Sequence, residues 1–154
     1  MVRLSDLPDY EAAHLLAKNG EPFSPPAWLA DTRPASARKF VLITTAGIHP
    51  AGEAPFRSAD ASYRVLPGTP GVNFAMSHAS VNFDRTGFQQ DVTVVFPVDR
   101  FRELVARGDV GGLAEHHYSF MGAGLTAPEY ESSVRALAPV LRREGVDAAF
   151  LTPV

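Results

Sequence analysis

The chain has 154 residues, 45% hydrophobic and 20% charged, with Lys+Arg 14 against Asp+Glu 17 and a net charge of −3. That is enough chain for one domain with a real core, and too apolar for a disordered one. There is no cysteine, which excludes disulfides, thiolate metal sites, iron–sulfur clusters and a cysteine nucleophile within these residues.

No basic block stands out, so nucleic acid is not an expected partner. No apolar run reaches the roughly 20 residues that cross a bilayer, and the N-terminal residues carry acids where a signal peptide needs an apolar stretch. A cytoplasmic protein is expected. Thirteen Pro and twelve Gly predict long ordered loops.

Residues 1–36 read as an arm. Asp9 to Asn19 predicts a short helix with Leu15 and Leu16 on its apolar side, stopped by Gly20. Pro22, Pro25 and Pro26 then forbid regular structure, and Phe23 and Trp28 interleave them. An extended Pro-rich arm is predicted there, as a packed segment or as a docking arm for a partner.

Residues 37–154 read as an α/β domain. Lys39 to Gly47 is a continuous apolar run, as in a strand buried on both faces. Ser62 to Leu66 predicts a second short strand. Asp91 to Pro97 predicts a third. Val98 to Arg107 predicts an amphipathic helix through Val98, Phe101, Leu104 and Val105. Val110 to Leu113 reads as a turn. Ala127 to Glu144 predicts the last helix, kinked or split at Pro139. Val146 to Thr152 predicts a final buried strand. The alternation implies a parallel or mixed sheet with flanking helices.

Several residues could carry chemistry. Thr44-Thr45-Ala46-Gly47-Ile48-His49 lies beyond a strand's carboxyl end, where α/β sheets place ligands. Its hydroxyls and His49 could hold a substrate carboxylate, or be a satisfied turn. Tyr63 and Arg64 stand beside Asp60, as substrate contacts or as a surface ion pair. Ser77-His78 and Asp84-Arg85 allow a Ser/His/Asp hydrolase in principle, but no Gly-x-Ser-x-Gly elbow supports it. His116-His117-Tyr118 is the densest polar cluster. Adjacent residues of a strand face opposite ways, so the two histidines do not share a metal, and no metal site is expected. One of them could act as a general acid. Arg64 or Arg100 could bind an anion, or pair with Asp60 or Asp99.

Several strings carry a more specific signal. They are Val41 to His49, Ser62 to Pro67, Phe83 to Gly87, Gln90 to Arg100, His116 to Gly122 and Glu144 to Val154. In this order they resemble the selenoprotein B family of the glycine, sarcosine and betaine reductases and the related D-proline reductase subunit. The resemblance covers about residues 40–154, and Val-Phe-Pro-x-Asp-Arg and His-x-Tyr-Ser-Phe-Met-Gly are its most specific strings. It implies reductive cleavage at the α-carbon of a small amino-acid-derived substrate. It also implies a selenocysteine or cysteine nucleophile, a partner subunit that can carry a pyruvoyl-type carbonyl, a thiol or selenol electron donor, and an oligomeric assembly. His116, His117, His78 and Asp84 are the expected catalytic residues. Thr44, Thr45, His49, Tyr63, Arg64 and Tyr118 are the expected substrate contacts.

One departure stands out. In the family a Sec/Cys-x-x-Cys motif follows the strand that ends in Leu-Thr-Pro, and this sequence stops at Val154 with no cysteine. The redox group is therefore expected in an in-frame continuation past a selenocysteine codon, or in a partner. A short split homologue that binds substrate or partner, and a degenerate one, are the alternatives. By itself this chain is expected to be inactive.

Overall fold

The computed structural model describes residues 3–17, 31–80 and 85–154. It divides into two compact units, Met1–Thr32 and Arg33–Val154. In the first, α1 spans Asp9–Leu16. The predicted Pro-rich arm at Glu21 to Trp28 lies outside the described residues.

The second unit is an α/β fold around a mixed sheet. Its centre is β1 (Lys39–Thr44), where β-branched and aromatic residues favour the extended chain. On one side β1 pairs in parallel with β5 (Gly112–Leu113) and then β6 (His116–Ser119). On the other it pairs in parallel with β7 (Ala148–Thr152) over five residues. β3 (Arg64–Pro67) closes the far edge antiparallel to β6, with Arg64 opposite Ser119 and Pro67 opposite His116. A separate two-stranded ribbon joins β2 (Ile48–Pro50) to β4 (Phe74–Met76).

Alternation along β1 sorts the core into two layers. Leu42 faces Val95, Phe96, Val98 and Phe101. The last two belong to α3 (Val98–Ala106), where the sequence predicts a helix. Val41 faces Tyr118, Phe120 and Leu137 beneath α4 (Ala127–Arg143). A capping box fixes the start of α4: the Thr126 N–H and hydroxyl both donate to Glu129. α4 runs through Pro139 without splitting. Pro139 and Arg135 are exposed, so the carbonyl that the proline leaves unbonded faces water.

Three expectations need correction. Asp91 to Pro97 is not a strand but a 3₁₀ turn at Val92–Val94, preceded by α2 (Thr86–Gln90). The Asp91 carboxylate accepts from Thr93 N–H at 2.8 Å, which diverts the backbone from a ladder. The apolar run still reaches the core, because Val95 and Phe96 are buried. Second, the turn at Val110 to Leu113 contains β5. Third, the final strand is not buried, since Phe150 is 41% and Leu151 66% exposed. Among the described residues no helix is long and apolar enough to cross a membrane.

Candidate functional site

The carboxyl ends of β1, β6 and β7 meet. Phe120 N–H donates to Thr44 C=O, Gly47 N–H to Phe120 C=O, and Thr45 N–H to Thr152 C=O. Two glycines make the closeness feasible. Gly122 (φ +74°) lies so near Thr45 that a Cβ there would stand 2.3 Å from the Thr45 carbonyl oxygen. Gly47 (φ +62°) packs under His78, whose Cα would lie 3.0 Å from an added Cβ. Both sit in the left-handed region, which an L side chain resists.

The two threonines differ. Thr44 is buried, and its Oγ1 donates to Thr152 C=O and accepts from Ala46 N–H, each at 3.2 Å. Its hydroxyl is committed to the turn. Thr45 is half-buried, and its Oγ1 accepts from Val154 N–H at 2.9 Å. One accepted bond leaves the hydroxyl hydrogen to donate outward.

His78 is the imidazole at this end. It is buried, and its Nδ1 accepts from Ser80 N–H at 3.2 Å. Arg85 donates to the carbonyls of His78 (2.9 Å) and Ser80 (2.6 Å). Burial, with the Arg85 charge adding to it, holds the His78 pKa below the usual histidine range. Asp84 lies outside the described residues. Ser77 Oγ accepts from Phe56 N–H at 2.8 Å and donates to Gly47 C=O at 3.3 Å. Its hydrogen bonds go to main chain, and the geometry gives the hydrolase arrangement no support.

Tyr63 and Arg64 reach the same end, because β3 runs antiparallel. The Arg64 guanidinium is spent. It pairs with Asp60 at 2.9 Å, donates to the carbonyls of Ala54 and Pro55, and lies 4.2 Å from the centre of the Phe56 ring. Burial pushes the Asp60 pKa up, but bonds from Ser62 and Arg64 outweigh it and hold the carboxyl below its usual range. Tyr63 packs edge-on against Tyr118 at 5.4 Å and beside Phe120 at 5.9 Å. Tyr118 is itself core.

The histidine pair lies elsewhere. His116 opens β6, about 10 Å from Ser119 at ~3.3 Å per residue. Its Nδ1 is 3.6 Å from Glu144 on the α4 side. His117 points to the opposite face, as strand alternation requires. It is fully buried, and its Nδ1 accepts from Leu42 N–H at 3.1 Å. The imidazole thus replaces a main-chain acceptor between the β5 and β6 pairings of β1. Burial, then the charges of Arg102 and His116, push its pKa down to about 4. His49 is buried on β2 with Nδ1 3.0 Å from Pro50 C=O. Arg100 pairs with Glu103, and Asp99 with Arg102, so the Arg100–Asp99 pairing is not formed.

The structure therefore gathers Thr44, Thr45, His78, Tyr63 and Arg64 at one end and leaves His116 and His117 apart from them. It adds Ser119, Met121 and Gly122, which sequence reasoning missed as site residues. Ser119 Oγ accepts from Ile48 N–H at 3.0 Å, and Met121 Sδ from Ala79 N–H at 3.2 Å. Their signal was present in the His-x-Tyr-Ser-Phe-Met-Gly string.

Comparison with known proteins agrees with this region of the chain. Residues 31–154 match the family model described as glycine/sarcosine/betaine reductase selenoprotein B. The D-proline reductase subunit gamma of Acetoanaerobium sticklandii is 35% identical over 131 residues, 83% of this chain and 53% of that protein. The glycine reductase complex component B subunit gamma of Carboxydothermus hydrogenoformans is 30% identical over 76% of this chain and 28% of its own length. The betaine reductase complex component B subunit beta of Peptoclostridium acidaminophilum is 29% identical over 80% and 29%. The chain thus spans about half the length of the first relative and less than a third of the others. No solved structure matches it. The matched stretch contains β1, β6, β7 and the loops that meet at their carboxyl ends, and on that match the chain belongs to the glycine/sarcosine/betaine reductase selenoprotein B family.

Proposed function

We propose that this chain supplies the substrate-binding part of a reductase of the glycine, sarcosine, betaine or D-proline type. The reaction is reductive cleavage at the α-carbon of an amino-acid-derived substrate. The observation that carries the proposal is the convergence of Thr45, Gly47, His78 and Gly122 at the carboxyl ends of β1 and β6. α/β sheets bind small ligands at such an end. Thr45 Oγ1 donates to the substrate carboxylate, and the exposed main chain around Gly122 lets the ligand approach. His78, held neutral, handles the proton at this end, a role expected, from the sequence, of His116 or His117. Those two do not reach it.

The redox chemistry comes from a selenocysteine or cysteine outside these residues, in a continuation or a partner. A low-pKa selenolate or thiolate is ionised at neutral pH and attacks well. A pyruvoyl-type carbonyl on a partner subunit would ease departure of the leaving group, and a thiol or selenol donor would return the electrons. The hydrogen bond from Val154 N–H to Thr45 Oγ1 supports a redox group presented beside Thr45.

Calorimetric titration of the chain with glycine, sarcosine, betaine and D-proline tests the substrate-binding part. One of them is expected to bind, with Thr45→Val weakening it about tenfold while lowering Tm by only a few degrees, the tenfold being the worth of one hydrogen bond to a charged group. Absence of binding by all four, or a Thr45→Val variant that binds as well, would overturn it.

A further inference from the structure

His78 sits just past β4. Ser77 N–H still donates to Gly47 C=O at 2.9 Å, and from there the chain leaves the β2–β4 ribbon. Side chains then hold its main chain. The peptide between His78 and Ala79 is gripped on both sides: Arg85 donates to His78 C=O at 2.9 Å, and Ala79 N–H donates to Met121 Sδ at 3.2 Å. Arg85 also donates to Ser80 C=O, and Ser80 N–H to His78 Nδ1 at 3.2 Å.

Met121 is fully buried, yet among the described residues it joins neither apolar layer of the core. Leucine would fill much the same space, but only the sulfur can accept. Met121 follows Phe120, whose C=O accepts from Gly47 N–H, and precedes Gly122, which packs against Thr45. Three successive residues beyond β6 thus reach Gly47, the His78 loop and Thr45.

We infer that Met121 is a positioning residue for His78: its sulfur holds the 78–79 peptide, and with it the imidazole, at the carboxyl ends of β1 and β6. The inference rests on the reading that His78 meets the ligand. Rotation of that peptide would swing Ser80 N–H away from Nδ1. While the Ser80 bond lasts, the neutral ring carries its hydrogen on Nε2. Arg85 grips the other side of the same peptide, so losing the sulfur loosens the loop without releasing it.

Amide hydrogen exchange and ¹⁵N NMR of the His78 ring, both without ligand, test this. In the parent, Ala79 N–H is expected to be protected and His78 to be the Nε2–H tautomer at neutral pH. Met121→Leu keeps the volume and is expected to fold with unchanged circular dichroism. Its Ala79 amide is expected to exchange about fivefold faster, the worth of one neutral hydrogen bond, and its His78 ring to show both tautomers. Norleucine in place of methionine keeps the shape and removes the sulfur. It is expected to behave as Met121→Leu does, and it decides alone if that variant does not fold. An unmoved tautomer, whatever the exchange rate, overturns the inference, and so does a parent whose Ala79 amide exchanges freely. Titration with the four substrates tests the underlying reading separately, since neither measurement needs a ligand.

Discussion

The two ends of β1 are closed by different chemistry. At the amino end, charges hold one another. The Asp147 carboxylate accepts from Arg33 at 2.9 Å and from Lys39 N–H at 3.0 Å, Arg38 donates to Arg33 C=O, and Lys39 Nζ donates to Glu144 C=O at 2.7 Å. Arg38, Lys39, Gly112 and Asp147 line a shallow hollow there of about 340 Å³, but its charges are already engaged. At the carboxyl end, hydroxyls and main chain do the closing, and two left-handed glycines bring the segments close. One end is a clasp. The other is closed by the Thr44 and Thr45 hydroxyls and by main-chain bonds, with no ion pair among these contacts.

The sharpest break of this comparison is Gly122→Ala. The added methyl meets Thr45 and the backbone sits at φ +74°. Overpacking and a left-handed alanine together cost about 3–4 kcal/mol, a Tm drop on the order of 10 °C in a thermal melt. Gly124→Ala, at φ +80° with nothing within 4 Å, costs only about 1 kcal/mol. Equal melts for the two would remove the tight carboxyl-end junction.

Next in size is the central histidine. His117 has a folded pKa depressed from 6.5 to about 4. Its stabilisation is therefore present above the unfolded pKa and lost as pH falls through 6.5 toward 4. The full loss is about 3 kcal/mol. Denaturant melts are expected to show it, and a His117→Gln variant, which cannot titrate, is expected to flatten that part of the profile. A profile unchanged by the substitution would mean the buried imidazole is not the titrating group.

Asp147→Ala opens the amino-end clasp and leaves Lys39 N–H without its acceptor. About 1 kcal/mol is expected, since the pair is partly exposed. Calorimetric ligand binding should stay as in the parent. Smallest is Thr45→Val, within about 1 kcal/mol in stability, although it removes the donor proposed to hold the ligand.

Much of the fold was legible. The apolar run at β1, the stripes of α3 and α4 and the strand at β7 each carry local periodicity that packing then uses. The Val92–Val94 turn was not legible, because β-branched residues favour a strand until the Asp91 side chain bonds Thr93. The β2–β4 ribbon was hidden too, since three residues at 48–50 meet three at 74–76 with no local pattern. At the site, Thr44-Thr45-Ala46-Gly47 could be placed at a strand's carboxyl end from sequence alone. Which threonine keeps a donor could not, because that depends on Thr152 and Val154, more than a hundred residues away. The histidine pair drew attention by density, but its two side chains lie on opposite faces, one held in the core by Leu42.

The carboxyl end, not the amino-end clasp, is the proposed binding surface. Backbone amide NMR during titration with glycine, sarcosine, betaine and D-proline tests it directly. Shifts confined to Thr45, Gly47, His78 and Gly122 are predicted for the ligand that binds. Shifts centred on Lys39, Gly111 and Asp147, or none with any of the four, would contradict it.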